Sequence, residues 1–234
     1  FGAIFTRNGR ARGASFHHAI LRSVSIAERS SPTCIPLESG DRLTRAEFER
    51  RYSARPDIKK AELVEGVVYV ASPVRTPDHG QPHFDMTTWL GVFVAANPGL
   101  IRATDATVRL DADNELQPDL CLARDKEHGG SCSIDEDGYL TGAPELIVEI
   151  AASSASYDLG AKMHVYRRNG VREYIVWQIL EQRMDWFRLN EGAYAAVAPD
   201  ARGVIESAAF PGLKLDVPAM LRGDLKAVLA ALGS

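Results

Sequence analysis

Three residues between positions 119 and 162 have the types and spacing to do chemistry together: Asp119, Glu149 and Lys162. Asp119 opens the apolar run Pro118-Asp119-Leu120-Cys121-Leu122-Ala123, and Glu149 lies inside Glu145-Leu146-Ile147-Val148-Glu149-Ile150-Ala151. A carboxylate among apolar strand residues is costly unless something compensates its charge, and a divalent cation is one such compensation. Two strands that each carry one acid suggest a built site. A hard cation held by carboxylates activates water and stabilises developing negative charge, which is what hydrolysis of a phosphodiester requires. Mg²⁺ or Mn²⁺ would take Asp119 and Glu149 as ligands. The carbonyl of Ile150 is the natural third, because Mg²⁺ keeps several waters and needs few protein oxygens. Lys162 would orient the attacking water or neutralise the phosphate.

Positioning these residues requires strands for the acids and a helix for the lysine. Thr44 is a good N-cap for a helix over 45–52, with Glu47 completing a capping box and Pro56 ending it. Residues 59–72 read as two strands about a tight turn at Glu65-Gly66. A helix follows over 79–96, stopped by Asn97-Pro98-Gly99. Candidate strands at 101–110 and 117–124 flank a polar turn at 111–115, and 125–144 reads as a polar excursion. Then come a buried strand at 145–151, a helix over 155–169, a strand at 172–179 and a meander over 182–198. A short strand near 213–215 and a helix over 224–232 end the chain. The pattern predicts a mixed α/β (α+β) domain, a mixed central sheet flanked by helices in the order α-β-β-β-α-β. An N-terminal hairpin precedes it, and strands and a helix follow it.

With 234 residues, 45% hydrophobic and 25% charged, the chain suits one domain with a sizeable core. Residues 1–40 lack a sustained period and read as a flexible extension, leaving 41–234 as the domain. No apolar stretch approaches the roughly 18 residues of a bilayer span, which argues against a membrane protein. The three cysteines, Cys34, Cys121 and Cys132, show no close-paired spacing, consistent with a reduced, cytoplasmic protein. Net charge is −4, yet residues 1–22 hold four arginines and no acid, leaving the remainder at −8. That opening superficially looks like an organelle transit peptide, although a fragment or a frame extended upstream explains it as well. Any DNA contact by so acidic a body needs a local basic patch, and the helix with His164, Arg167 and Arg168, followed by Arg172, is the best candidate.

Ordered motifs along residues 42–190 carry a further signal. They are Glu62-Leu63-Val64-Glu65-Gly66, then His79 opening a helix, Pro118-Asp119, and Asp135-Glu136-Asp137-Gly138-Tyr139-Leu140. Gly142-Ala143-Pro144-Glu145-Leu146-Ile147-Val148-Glu149-Ile150 follows, then Asp158-Leu159-Gly160-Ala161-Lys162, Tyr166 and Gly170-Val171-Arg172-Glu173-Tyr174. In this order the sequence resembles the Uma2 family of restriction endonucleases, a branch of the PD-(D/E)XK nuclease superfamily. The resemblance implies a restriction-endonuclease-like core with Asp119 and Glu149 as metal ligands and DNA as substrate. Glu62 and His79 match further polar positions near the family site. The superfamily lysine stands two residues after the acid; here that position is Ala151, and Lys162 matches the lysine the family takes from the following helix. The chain also departs at Ala152-Ser153-Ser154, where relatives have Ser-Pro, and at Gly66-Val67, where they often have Gly-Glu. By analogy with nucleases that need two sites for a double-strand cut, a homodimer is expected.

Each residue also has a plainer reading. Asp119 could cap a turn, Glu149 could pair with a buried arginine, and Lys162 could form a surface i,i+4 pair with Asp158. His79 and His83 invite a zinc reading, but Pro82 makes the first turn irregular and no third ligand lies nearby. Tyr166 and Trp177 read as core. The rival to a metal-dependent endonuclease is a catalytically inactive protein of the same fold that binds nucleic acid or a protein partner.

Overall fold

The computed structural model describes residues 35–73 and 75–233. The expected extension falls largely on residues 1–34, outside those described. Within the described part, Leu37 is already buried with Phe48 and Leu63.

In chain order, α1 (Arg45–Ser53) leads to a hairpin of β1 (Ala61–Val64) and β2 (Val67–Val70). A π-helical turn (Thr76–Gly80) runs into α2 (Gln81–Ala96). β3 (Leu100–Thr104), β4 (Val108–Asp111), β5 (Asn114–Leu116) and β6 (Leu120–Arg124) follow. Two short strands, β7 (Ser133–Ile134) and β8 (Leu140–Thr141), precede β9 (Leu146–Ala151). One helical segment then comprises α3 (Ala155–Tyr157), a second π-turn (Asp158–Lys162) and α4 (Met163–Asn169), and delivers β10 (Glu173–Gln178). The chain continues through β11 (Arg183–Asn190), β12 (Ala193–Ala196), β13 (Val204–Glu206) and β14 (Lys214–Asp216), then α5 (Val217–Leu221) and α6 (Leu225–Leu232).

The central sheet has the order β12-β11-β10-β9-β6-β3 among the described residues. Its heart, α2-β3-β6-β9-α4-β10, is the anticipated α-β-β-β-α-β core, with β9 and β10 parallel across the helical crossover. A second sheet, β2-β1-β5-β4-β8-β7, takes strands that the sequence pattern assigned elsewhere. The predicted strand over 101–110 is two strands in different sheets, separated by Asp105 in the left-handed region at φ 50°. A non-glycine residue there breaks the ladder, and its N–H is taken by the Asp119 carbonyl at 3.1 Å. The polar turn at 111–115 contains the start of β5. The 125–144 excursion is not structureless either: β8 pairs in parallel with β4, and Arg109 reaches Asp135 at 2.7 Å and Asp137 at 2.9 Å. The capping box is half-formed. Thr44 Oγ1 accepts from the Glu47 N–H at 3.4 Å, while the Glu47 carboxylate is drawn to Arg50 and Arg51.

Strand periodicity of two sorts the core into layers. Leu120, Leu122, Leu146, Val148, Ile150, Ile175 and Trp177 face one side of the central sheet, against α2 and the C-terminal elements. Cys121, Ala123, Ile147, Ala151, Tyr174 and Val176 face the other, toward the second sheet and α4. Asp119 and Glu149 share the parity of this second set. In β1, Ala61 and Leu63 pack toward α1, which turns Glu62 the other way with Val64. All three acids are thereby aimed into the layer between the two sheets.

Candidate functional site

The site is assembled around one buried ammonium group. Lys162 Nζ lies 2.7 Å from Glu149 Oε1, 3.2 Å from Glu62 Oε1 and 3.3 Å from Asp158 Oδ1. Its side chain is only 3% exposed. The second π-turn places Asp158 and Lys162 on the inward side of the helical segment, so their pairing is a buried interaction and not the surface pair that i,i+4 spacing suggested. π-turns recur at functional sites because the extra residue re-aims side chains. His79 sits in the other π-turn.

Glu149 is bound from two sides, for Tyr166 Oη donates to the same Oε1 at 2.8 Å. The partner of this acid is thus a lysine, not the arginine of the plainer reading. Burial pushes the Glu149 carboxyl up from the usual range. Lys162 works against that, while Asp158, Asp119 and Glu62 add to it. Burial likewise opposes the charge on Lys162, but Glu149, Glu62 and Asp158 outweigh it and hold the ammonium charged. Glu62 Oε1 also accepts the Gln117 N–H at 2.8 Å, tying the hairpin to the segment that ends in Asp119.

Asp119 occupies the other half. Its Oδ2 accepts the Ile150 N–H at 2.7 Å; its Oδ1 faces Lys60 Nζ at 3.0 Å and His79 Nε2 at 3.6 Å. The Ile150 carbonyl accepts from His79 Nδ1 at 3.2 Å, so His79 bridges both residues at the end of β9. His83 Nε2 lies 3.1 Å from the Asp119 carbonyl and 3.4 Å from Asp105 Oδ2. The Asp105 contact raises the His83 pKa more than burial lowers it. The two imidazoles stack at 5.8 Å between centroids.

The structure therefore brings together Glu62, His79, Asp119, Glu149, Ile150 and Lys162. It adds Lys60 and Asp105, which the sequence did not single out, and draws in His83, Asp158 and Tyr166, which the sequence read as part of an unsupported zinc pair, a surface pair and core. Lys60 had a faint signal: two residues before Glu62 on an extended segment, it shares that acid's face. The basic patch on α4 is exposed but partnered, with Arg168 reaching Glu65 at 2.9 Å and Asp111 at 3.2 Å.

The donor chemistry suits a hard divalent cation. Among the described residues, no three His, Cys, Asp or Glu side chains converge as a metal cage. His79 links the Asp119 carboxylate to the Ile150 carbonyl, Glu149 is the residue before that carbonyl, and five carboxylates share only two lysines. That excess of negative charge, much of it out of water, is what a cation offsets. Among the described residues no helix is long and apolar enough to cross a membrane.

Comparison with known proteins bears on the family and the fold. Residues 45–218 match the family described as "Uma2: Putative restriction endonuclease". The crystal structure of a protein described as a putative nuclease belonging to DUF820, from Anabaena variabilis ATCC 29413, superposes with a TM-score of 0.50 at 12% identity. The match covers 74% of this chain and 90% of that one, and at such identity it speaks to the fold alone. No curated protein matches.

Proposed function

The chain belongs to the Uma2 family, and from that premise we propose that it is a metal-dependent endonuclease that hydrolyses phosphodiester bonds in DNA. The observation that carries this reading is the buried meeting of Glu62 from one sheet and Glu149 from the other on Lys162, with Asp119 accepting the N–H of Ile150, the residue after Glu149. Asp119, Glu149 and the Ile150 carbonyl would hold Mg²⁺ or Mn²⁺. When bound, the metal would acidify water and stabilise the negative charge that builds up on the phosphate.

The protein's own residues prepare that chemistry. Tyr166 and Lys162 fix the Glu149 carboxylate from two directions, which locks its rotamer. His79 holds the Ile150 carbonyl and faces Asp119, setting the spacing between the carbonyl and the carboxylate. Glu62, buried and held by the Gln117 N–H, would orient an attacking water. A homodimer would supply the two sites that a double-strand cut needs.

Plasmid cleavage with Mg²⁺ or Mn²⁺, beside EDTA and Glu149→Ala, tests this. Metal-dependent nicking that the variant lacks is expected. A folded protein that neither cuts DNA nor binds Mn²⁺ overturns it. The contact of Lys60 with Asp119 favours a second reading, a non-catalytic DNA-binding protein whose acids are neutralised internally. On that reading Asp119→Ala leaves DNA binding intact and Mn²⁺ has no site.

A further inference from the structure

An ammonium group has three N–H donors. Those of Lys162 face three carboxylate oxygens, at 2.7, 3.2 and 3.3 Å, inside a shell that leaves the side chain 3% exposed. For Lys162 to reach a phosphate oxygen it would have to abandon a buried acid, which is costly. Lys60 is placed differently. Its side chain is a quarter exposed, and among the described residues only Asp119 lies within hydrogen-bond distance of Nζ, at 3.0 Å; Asp105 is at 3.6 Å. Two of its donors are therefore uncommitted at bonding distance. Asp105 is half-exposed, so the group lies at the mouth of the site, with the acid layer behind it.

The backbone at Lys60 is fixed. Its carbonyl accepts the Ala71 N–H at 3.0 Å, closing the open end of the β1–β2 hairpin. Glu62 follows on the same strand face, so one rigid strand presents a cation at the mouth and an acid inside. Burial works against the charge of Lys60, but Asp119, Glu149 and Glu62 more than restore it.

We propose that Lys60, and not Lys162, is the lysine that contacts the scissile phosphate, donating to a non-bridging oxygen while Asp119 holds the other side of its ammonium. This rests on the nuclease reading above. Lys162 then acts as a positioning residue that keeps Glu62, Glu149 and Asp158 together. The lysine of the parent motif is thus divided in two: one buried to hold the acids, one at the mouth for the substrate.

The test measures binding of a 20-base-pair duplex in Ca²⁺ at several salt concentrations, and plasmid cleavage in Mn²⁺, for the wild type, Lys60→Met and Lys60→Arg. Lys60→Met is expected to melt within a few degrees of the wild type, to cut about 10²-fold more slowly, and to lower the slope of log K against log salt by about one. Lys60→Arg restores the slope and most of the cleavage. A lysine that merely balanced Asp119 would leave the salt slope unchanged. Equal slopes and equal rates in wild type and Lys60→Met overturn the assignment alone. DNA neither bound nor cut by the wild type overturns the nuclease reading and this assignment together.

Discussion

Lys162 Nζ and Glu149 Oε1 lie 2.7 Å apart with both side chains 3% exposed, so the central ion pair of the site is also part of the core. Chemistry and folding are therefore coupled at this pair. Removing the cation strands three acids in a dry layer, and breaking a buried pair from one side costs about 3–5 kcal/mol. Lys162→Met is expected to lose stability on that scale in urea titration, and more than Lys60→Met. A loss below about 1 kcal/mol would show that the pair behaves as though in water.

Divalent cation should stabilise the fold. Binding to the native state alone adds about 2.7 kcal/mol at a concentration 100 times the Kd. The melting temperature of the wild type is expected to rise with Mn²⁺ and return with EDTA, whereas Asp119→Ala should show no rise. An equal rise in both proteins would place the metal elsewhere.

Glu115 supplies a pH dependence away from the metal ligands. Burial, and then the Glu49 carboxylate beside it, raise its pKa to about 7, with Arg109 opposing. A folded-state pKa above the unfolded value means the native state holds the proton more tightly. The stabilising contribution is complete below about pH 4.5, the unfolded value, and is lost as pH rises through about 7. Glu115→Gln should flatten the stability profile between those limits and leave the variant the more stable at pH 8. Superimposable profiles would refute the assignment.

Gly142 tests the pairing of the 125–144 segment. Its φ is 91°, and an added Cβ would lie 2.4 Å from the Ser131 carbonyl oxygen. Backbone, not a flexible side chain, stands in the way. Gly142→Ala should cost ~2 kcal/mol or more through overpacking and strain together, measured by denaturant unfolding. A neutral variant would mean that β8 does not hold this segment as described.

The acids were legible in the sequence because a carboxylate in an apolar strand violates the strand's own pattern. Asp119 and Glu149 stand out for that reason, while the face they share follows from the pairing of β6 with β9. Lys60 broke no pattern: it lies in the short connection after α1, where a lysine is ordinary. Asp158 and Lys162 were legible as a pair but not as a buried one, since i,i+4 spacing is the same on a surface helix and on a π-turn directed inward. The split of 101–110 into β3 and β4 depends on Asp105 adopting φ 50°, which aspartate permits but composition does not announce. β7 and β8 are two residues each, too short to establish a period. α5 was missed because Pro218 within its first turn reads as a breaker, although proline is well suited there.

Glu62 and Lys60 arrive on the hairpin side of the chain, while Asp119, Glu149 and Lys162 all arrive after α2. Severing the connection between β2 and the first π-turn would divide these groups between two polypeptides, neither holding a complete set. Co-expressed as separate pieces, 35–72 and 76–233 should nick plasmid only when reassembled, and each alone should be silent. Cleavage by the mixed pieces alone would make the site a coincidence gate, reporting by its chemistry that two pieces of the chain have found each other.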